Sequence, residues 1–391
     1  MNAQDYQAPA GVSRVQSLGL IVGGAALVLS IVGAFLSPEK FYQSYLFSYM
    51  LVLGLTLGSL GLLMLQHLTG GRWGIVIRRP LEAASRVLPL TAILFIPIVF
   101  GMKSLYSAWL DPEKVKEEPL SPFQQGYLTH SGFLVRAVIY FVIWLGLMLL
   151  FNKWSKQQDV DRDDRALRRR LKMWAGPGVI LYVLAMTFAS IDWVMSLSPH
   201  WASTIYGFIF VAGQAITAMS LMIIVVVALS STPYGAVYKQ RMHDLGKWLF
   251  TFNMLWAYFD FSQLLIIWSG NQPEEISFYR TRLYGGWGVV AVIVLLFSFA
   301  LPFLILLSEH VKKTPSLISK VALWMIIFRL VDLYWMTRPE FTKNPTLYWL
   351  DIVVPVALVG LWVGFFAMNL KQRPLLPLGD PKLAEAIAHE H

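Results

Sequence analysis

The sequence contains no cysteine, and only 7 of its 391 residues are histidine. The first absence removes disulfides, thiolate-held iron–sulfur clusters, c-type haem attachment and thiol nucleophiles. The second leaves little to hold a membrane b-haem, which needs two histidines on facing helices at similar depth. Only His67 and His130 flank apolar runs, and they fall at opposite surfaces. Charge is the third shortage. Asp, Glu, Lys and Arg make up 14% of the chain against 56% hydrophobic residues, where a soluble domain carries roughly a quarter charged residues. This composition excludes a soluble globular domain and describes an all-α integral membrane protein. No HExxH, GxGxxG or P-loop pattern stands in a fitting context.

Apolar runs are what the chain has in abundance. A spanning helix needs roughly 17–25 mostly apolar residues, and about ten runs qualify. They are Leu18–Leu36, Ser44–His67, Arg86–Tyr106, Ser131–Phe151, Gly176–Leu197, Ile205–Ser230, Lys247–Ser269, Tyr284–Leu307, Ile318–Met336 and Trp349–Leu370. No small-residue cleavage site follows the first run, so it reads as a retained helix and not a signal peptide. Basic residues collect in alternate loops: Arg72, Arg78 and Arg79; the Arg162–Lys172 run; Lys239 and Arg241; Lys312 and Lys313; Lys371 and Arg373. That pattern follows the positive-inside rule and puts both termini in the cytoplasm. It also explains the net charge of +9 without a nucleic-acid partner. The Arg162–Lys172 run reads as a solvated cytoplasmic helix.

A weak internal repeat joins two spans. Asp192 stands seven residues before Pro199 and Asp332 seven before Pro339, with a Met and a hydroxyl residue between in both. The two spans are four helices apart and run the same way. The expected organisation is an N-terminal tail and first helix over residues 1–43 and four-helix bundles over 44–204 and 205–348. A last helix and cytoplasmic tail take up 349–391.

Ionisable residues inside these spans are few: Lys103, Arg136, Asp192, Asp260, Arg329 and Asp332. Each intramembrane aspartate costs about 2.5–3.5 kcal/mol on insertion scales, which makes it a functional-site hypothesis by default. Asn253, Asp260 and Gln263 share one helix face, and a carboxyl buried on such a stripe can take and release protons. Asp192 shares a face with Ser196. Arg329 and Asp332, three residues apart, suit an internal ion pair. Lys103 and Arg136 lie close enough to helix ends to snorkel. Asp260, Asp192, Asp332, Arg329, Gln263 and Asn253 are therefore the candidates for a proton relay.

Two stretches are specific. Ile191–Gly213 (IDWVMSLSPHWASTIYGFIFVAG) and Trp256–Glu275 (WAYFDFSQLLIIWSGNQPEE) resemble the second NrfD-like, polysulfide-reductase-type membrane subunit of alternative complex III, a bacterial quinol:cytochrome c oxidoreductase. The resemblance covers nearly the whole chain. It implies ten spanning helices in the bacterial inner membrane, arranged as two four-helix bundles plus flanking helices. The implied partners are a second NrfD-like subunit, an iron–sulfur subunit, and multihaem and monohaem cytochrome c subunits. It further implies no redox centre in this chain, with menaquinone or another quinone as the molecule it meets. By motif position Asp192, His200, Asp260 and Gln263 carry over, and His200, Trp201 and Lys103 become candidate quinone contacts. The rival reading is a secondary transporter or proton-coupled carrier, which should show Gly- or Pro-broken helices at matched positions of its two halves.

Overall fold

The computed structural model describes residues 6–160, 165–230, 232, 235, 241–380 and 383. Arg162 and Lys239, two of the basic residues read for orientation, lie outside the described residues. Among the described residues every element is helical. Ten long segments follow one another: α1 (Ala10–Leu36), α2 (Pro38–Thr69), α3 (Trp73–Phe100), α4 (His130–Val160), α5 (Arg165–Trp193), α6 (Tyr206–Ala228), α7 (Met242–Gly270), α8 (Gly285–Leu307), α9 (Pro315–Thr337) and α10 (Leu350–Leu370). Eight of them are long and apolar enough to cross a membrane; α7 and α9 are not among the eight. Those two are long enough but more polar, carrying Lys247, Asn253, Asp260 and Gln263 on one and Lys320, Arg329 and Asp332 on the other.

The centre of the molecule is α2, whose most apolar window is 94% buried. It packs on α3, α5, α6, α9 and α10. Small residues permit the close approach. Gly54 and Gly58 lie on Gln214 and Ala218 of α6, and a Cβ at Gly58 would fall 2.9 Å from the Ala218 Cβ. Gly61 faces the Tyr182 ring of α5. The register makes α2 parallel to α6 and antiparallel to α5. Pro38 opens α2, and Gly70, at φ 65°, ends it by donating its N–H to the Gln66 carbonyl.

The expected third span, Arg86–Tyr106, is not one straight helix. The chain breaks after Ser85 into Leu88–Ile93, Ile96–Phe100, Met102–Leu105 and Ser107–Leu110. Pro89 and Pro97 lack the N–H that a continuous helix needs. The ladder tightens beside each, with the Val87 N–H bonding Ala84 (3.1 Å) and the Phe95 N–H bonding Ala92 (3.2 Å). In α8 the ladder instead widens to a π-turn over Leu295–Ala300, next to Pro302.

The first and last helices pair with each other along their length. Gly19 and Gly23 of α1 meet Gly360 and Gly364 of α10 in antiparallel register, and a Cβ on Gly360 would lie 2.7 Å from the Gly23 Cα. The inner stripe of α1 is Val12, Gly23, Ala26, Ser30 and Gly33. The rest of this helix shows an apolar surface outward.

Candidate functional site

Asp192, near the end of α5, is fully buried. Its carboxylate accepts from Arg136 Nε (2.9 Å), Arg136 Nη2 (2.9 Å) and Tyr140 Oη (2.7 Å). Arg136 and Tyr140 are four residues apart on α4 and so reach the same partner from one face. The guanidinium also donates to the Tyr127 carbonyl (3.0 Å) and lies 3.8 Å above that residue's ring. Arg136 therefore does not snorkel as the helix-end position suggested; it turns inward and is 20% exposed. Ser196 does share the face with Asp192, but its hydroxyl donates to the Asp192 backbone carbonyl (2.5 Å), not to the carboxylate. The two-pronged guanidinium pairing holds Asp192 as a compensated, fixed charge.

The corner after α5 is a 3-10 turn, Met195–Leu197, followed by extended chain to α6. The short helix Pro122–Tyr127 crosses it, clamped where Gln124 Nε2 donates to the Pro199 carbonyl (2.7 Å). Between them lies a groove of about 320 Å³, lined by Phe123, Tyr127, Phe188, Ile191, Met195 and Trp201 among others. Trp201 Nε1 is enclosed with no hydrogen-bond partner among the described residues, and the Tyr127 hydroxyl lies within reach of Asp192 and Tyr140. Of the three candidate quinone contacts, only Trp201 lines this groove. Its ring stacks on Phe278 at 3.9 Å. His200 points outward, 42% exposed, with Glu118 at 3.6 Å. Lys103 is exposed on the short helix Met102–Leu105, away from the groove.

A second polar group lies on α7, which packs on α6 and meets α8. Asn253 and Gln263 are buried, and Asp260 is half-buried between them. Asn253 Nδ2 donates weakly to the Phe299 carbonyl (3.4 Å) in the π-turn, leaving its own carbonyl oxygen unpaired. Gln263 accepts from Ser203 Oγ (2.7 Å) and donates to Tyr279 Oη (3.1 Å). Arg329 and Asp332 form the expected ion pair, both buried. The guanidinium lies flat on Gly213 of α6, where a Cβ would strike it. Among the described residues, Asp260 alone of the three intramembrane aspartates has no hydrogen bond or ion pair. It sits within electrostatic reach of Arg329, Asp332 and Tyr279.

The largest ionic cluster was read only as loop charge. Glu82 of α3, fully buried, accepts from Arg78 Nε (3.2 Å), Arg79 Nη1 (2.6 Å), Arg373 Nη1 (3.0 Å) and Ser155 Oγ (2.5 Å). Arg78 goes on to Asp380 (2.8 Å) and Gln158 (2.6 Å), and Arg79 to Asp159. The spacing Arg78-Arg79-x-x-Glu82 carried the local half of this signal. The partners near the end of α4 and after α10 carried none. No group of three or more His, Asp or Glu able to hold a metal occurs among the described residues.

The geometry thus separates three kinds of charge: Asp192 and Glu82, each held by several donors; Asp332, held by one arginine; and Asp260, held by nothing among the described residues. No family model matches the chain, and no curated protein does.

Proposed function

We propose that the chain is a membrane subunit, with no redox centre of its own, of a quinol:acceptor oxidoreductase of the alternative complex III type in a bacterial inner membrane. In this reading all ten long helices cross the membrane. Spans two to five and six to nine form two parallel units, flanked by the paired first and last helices, and the end bearing Arg72, Arg78 and Arg79 is cytoplasmic. The chain scaffolds a second NrfD-like subunit, an iron–sulfur subunit and cytochrome c subunits, and carries protons in support of quinol oxidation.

One observation carries the proton assignment: among the described residues Asp260 has no hydrogen bond or ion pair, though the buried Arg329–Asp332 pair is within electrostatic reach. A carboxyl free of strong donors can exchange a proton without breaking a hydrogen bond, whereas the Asp192 carboxylate is occupied by three donors from Arg136 and Tyr140. The relay role therefore concentrates on Asp260, with Gln263 bridging Ser203 and Tyr279 beside it. The corner groove suits contact with a quinone ring, because its walls are apolar and aromatic, with Phe123, Tyr127, Phe188 and Trp201 among the lining residues.

The transporter reading fares less well. It asks for helix breaks at matched positions, yet α3 is broken at Pro89 and Pro97 while its counterpart α7 runs unbroken over Met242–Gly270. The test is purification through a tag on this chain. Co-elution of c-type haem absorbance is expected, and Asp260→Asn should lower the proton-to-electron ratio while quinol oxidation continues. A chain that elutes alone removes the complex; an unchanged ratio removes the relay.

A further inference from the structure

At the basic end of the molecule α3 and α7 begin side by side, and an open groove of about 490 Å³ lies between their first turns. Arg72, Arg241 and Lys247 line it, with Asp244, Trp73 and Trp248. The two indoles pack at 4.8 Å and make one wall. Three cations face one carboxylate, and that carboxylate makes only a loose pair, Asp244 to Arg241 at 4.0 Å. Arg72 and Lys247 have no ion pair among the described residues, and Arg241 Nε is enclosed without a hydrogen-bond partner. Neither helix start has a side-chain cap.

We infer that this groove binds the phosphate of an anionic phospholipid at the membrane boundary. Guanidinium groups match phosphate oxygens, and basic pockets between helix ends at the cytoplasmic surface suit anionic head groups. Trp73 and Trp248 supply groove-lining indoles, the side chain favoured at a membrane interface. What points to a lipid and not to free phosphate is the surface that follows. Lys247, Thr251 and Leu255 recur every four residues on one face of α7. That face passes from the groove to exposed Leu255 and Tyr258, an apolar track for acyl chains. The inference rests on α7 crossing the membrane and is independent of the redox assignment, so haem co-elution and lipid retention succeed or fail separately.

The full-length chain in detergent, titrated with phosphatidylglycerol or with phosphatidylcholine of the same acyl chains, reports the site by native mass spectrometry. Preferential retention of phosphatidylglycerol is expected. Arg72→Gln and Lys247→Gln should each weaken that retention roughly fivefold and leave phosphatidylcholine unchanged. Both side chains are exposed, so neither substitution disturbs packing. Asp244→Asn should act in the opposite sense and strengthen retention, which a structural defect would not do. Equal retention of the two lipids, or a preference untouched by both Gln variants, overturns the inference. So does displacement of phosphatidylglycerol by added inorganic phosphate, which would assign the groove to the free ion.

Discussion

Asp192 and Asp260 are the same side chain on two long helices that both pack on α6, and their surroundings give them opposite properties. Asp192 receives three donors, two of them from one guanidinium. Asp260 receives none among the described residues. Removing one partner of a buried ion pair costs about 3–5 kcal/mol, because the other charge is stranded; partial exposure of Arg136 puts Asp192→Asn at the lower end of that range. Asp260→Asn breaks no contact and should stay within about 0.5 kcal/mol of the parent. Denaturation of the two variants in the same detergent checks the contrast, and equal losses would refute it. At this scale the residues that matter could be picked from sequence, since an aspartate in an apolar run announces itself. Their partners could not. Arg136 lies 56 residues from Asp192, and a position near a helix end says nothing about which way the side chain turns.

At the scale of the helix, glycine positions decide what apolar character does not. In a lipid surrounding, the inward and outward faces of a spanning helix are equally apolar, so hydrophobic patterning hides the core and small residues reveal it. This is why the ten long segments were legible as apolar runs while the central place of α2 was not. The spacings Gly19-x-x-x-Gly23 and Gly360-x-x-x-Gly364 were visible too, but spacing does not name a partner. Gly23→Leu should force α1 off α10, since a Cβ there already collides with the backbone of Gly360 and Leu361. Overpacking of this kind costs about 1–3 kcal/mol. Gly24→Leu is the control, because a Cβ at that position meets nothing within 4 Å. The expected result is a lower melting temperature for the first variant only. The broken third span was not legible as such. Pro89 and Pro97 stand inside an apolar run, and only the local tightening of the ladder beside them turns it into a chain of short helices.

Across the whole molecule, Glu82 joins parts of the sequence that lie far apart. Arg78 and Arg79 come from the start of α3, Ser155 from the end of α4 and Arg373 from beyond α10. Leu375 and Leu376 are buried beside this knot, and the Leu375 N–H donates to the Tyr6 carbonyl (2.8 Å). Glu82→Gln would leave three guanidiniums without their common anion and should loosen the segment after α10. Trypsin cleavage after Lys371 is then expected to accelerate in the variant, and an unchanged digestion rate would show that the segment is held by its leucines alone. The seam between α1 and α10 has a consequence for biosynthesis. Helix α1 leaves the ribosome long before α10, its main neighbour, so until α10 arrives its glycine stripe waits uncovered in the bilayer. A nascent chain halted before residue 360 would display that stripe permanently, a ready-made mark by which a cell could tell unfinished copies from finished ones.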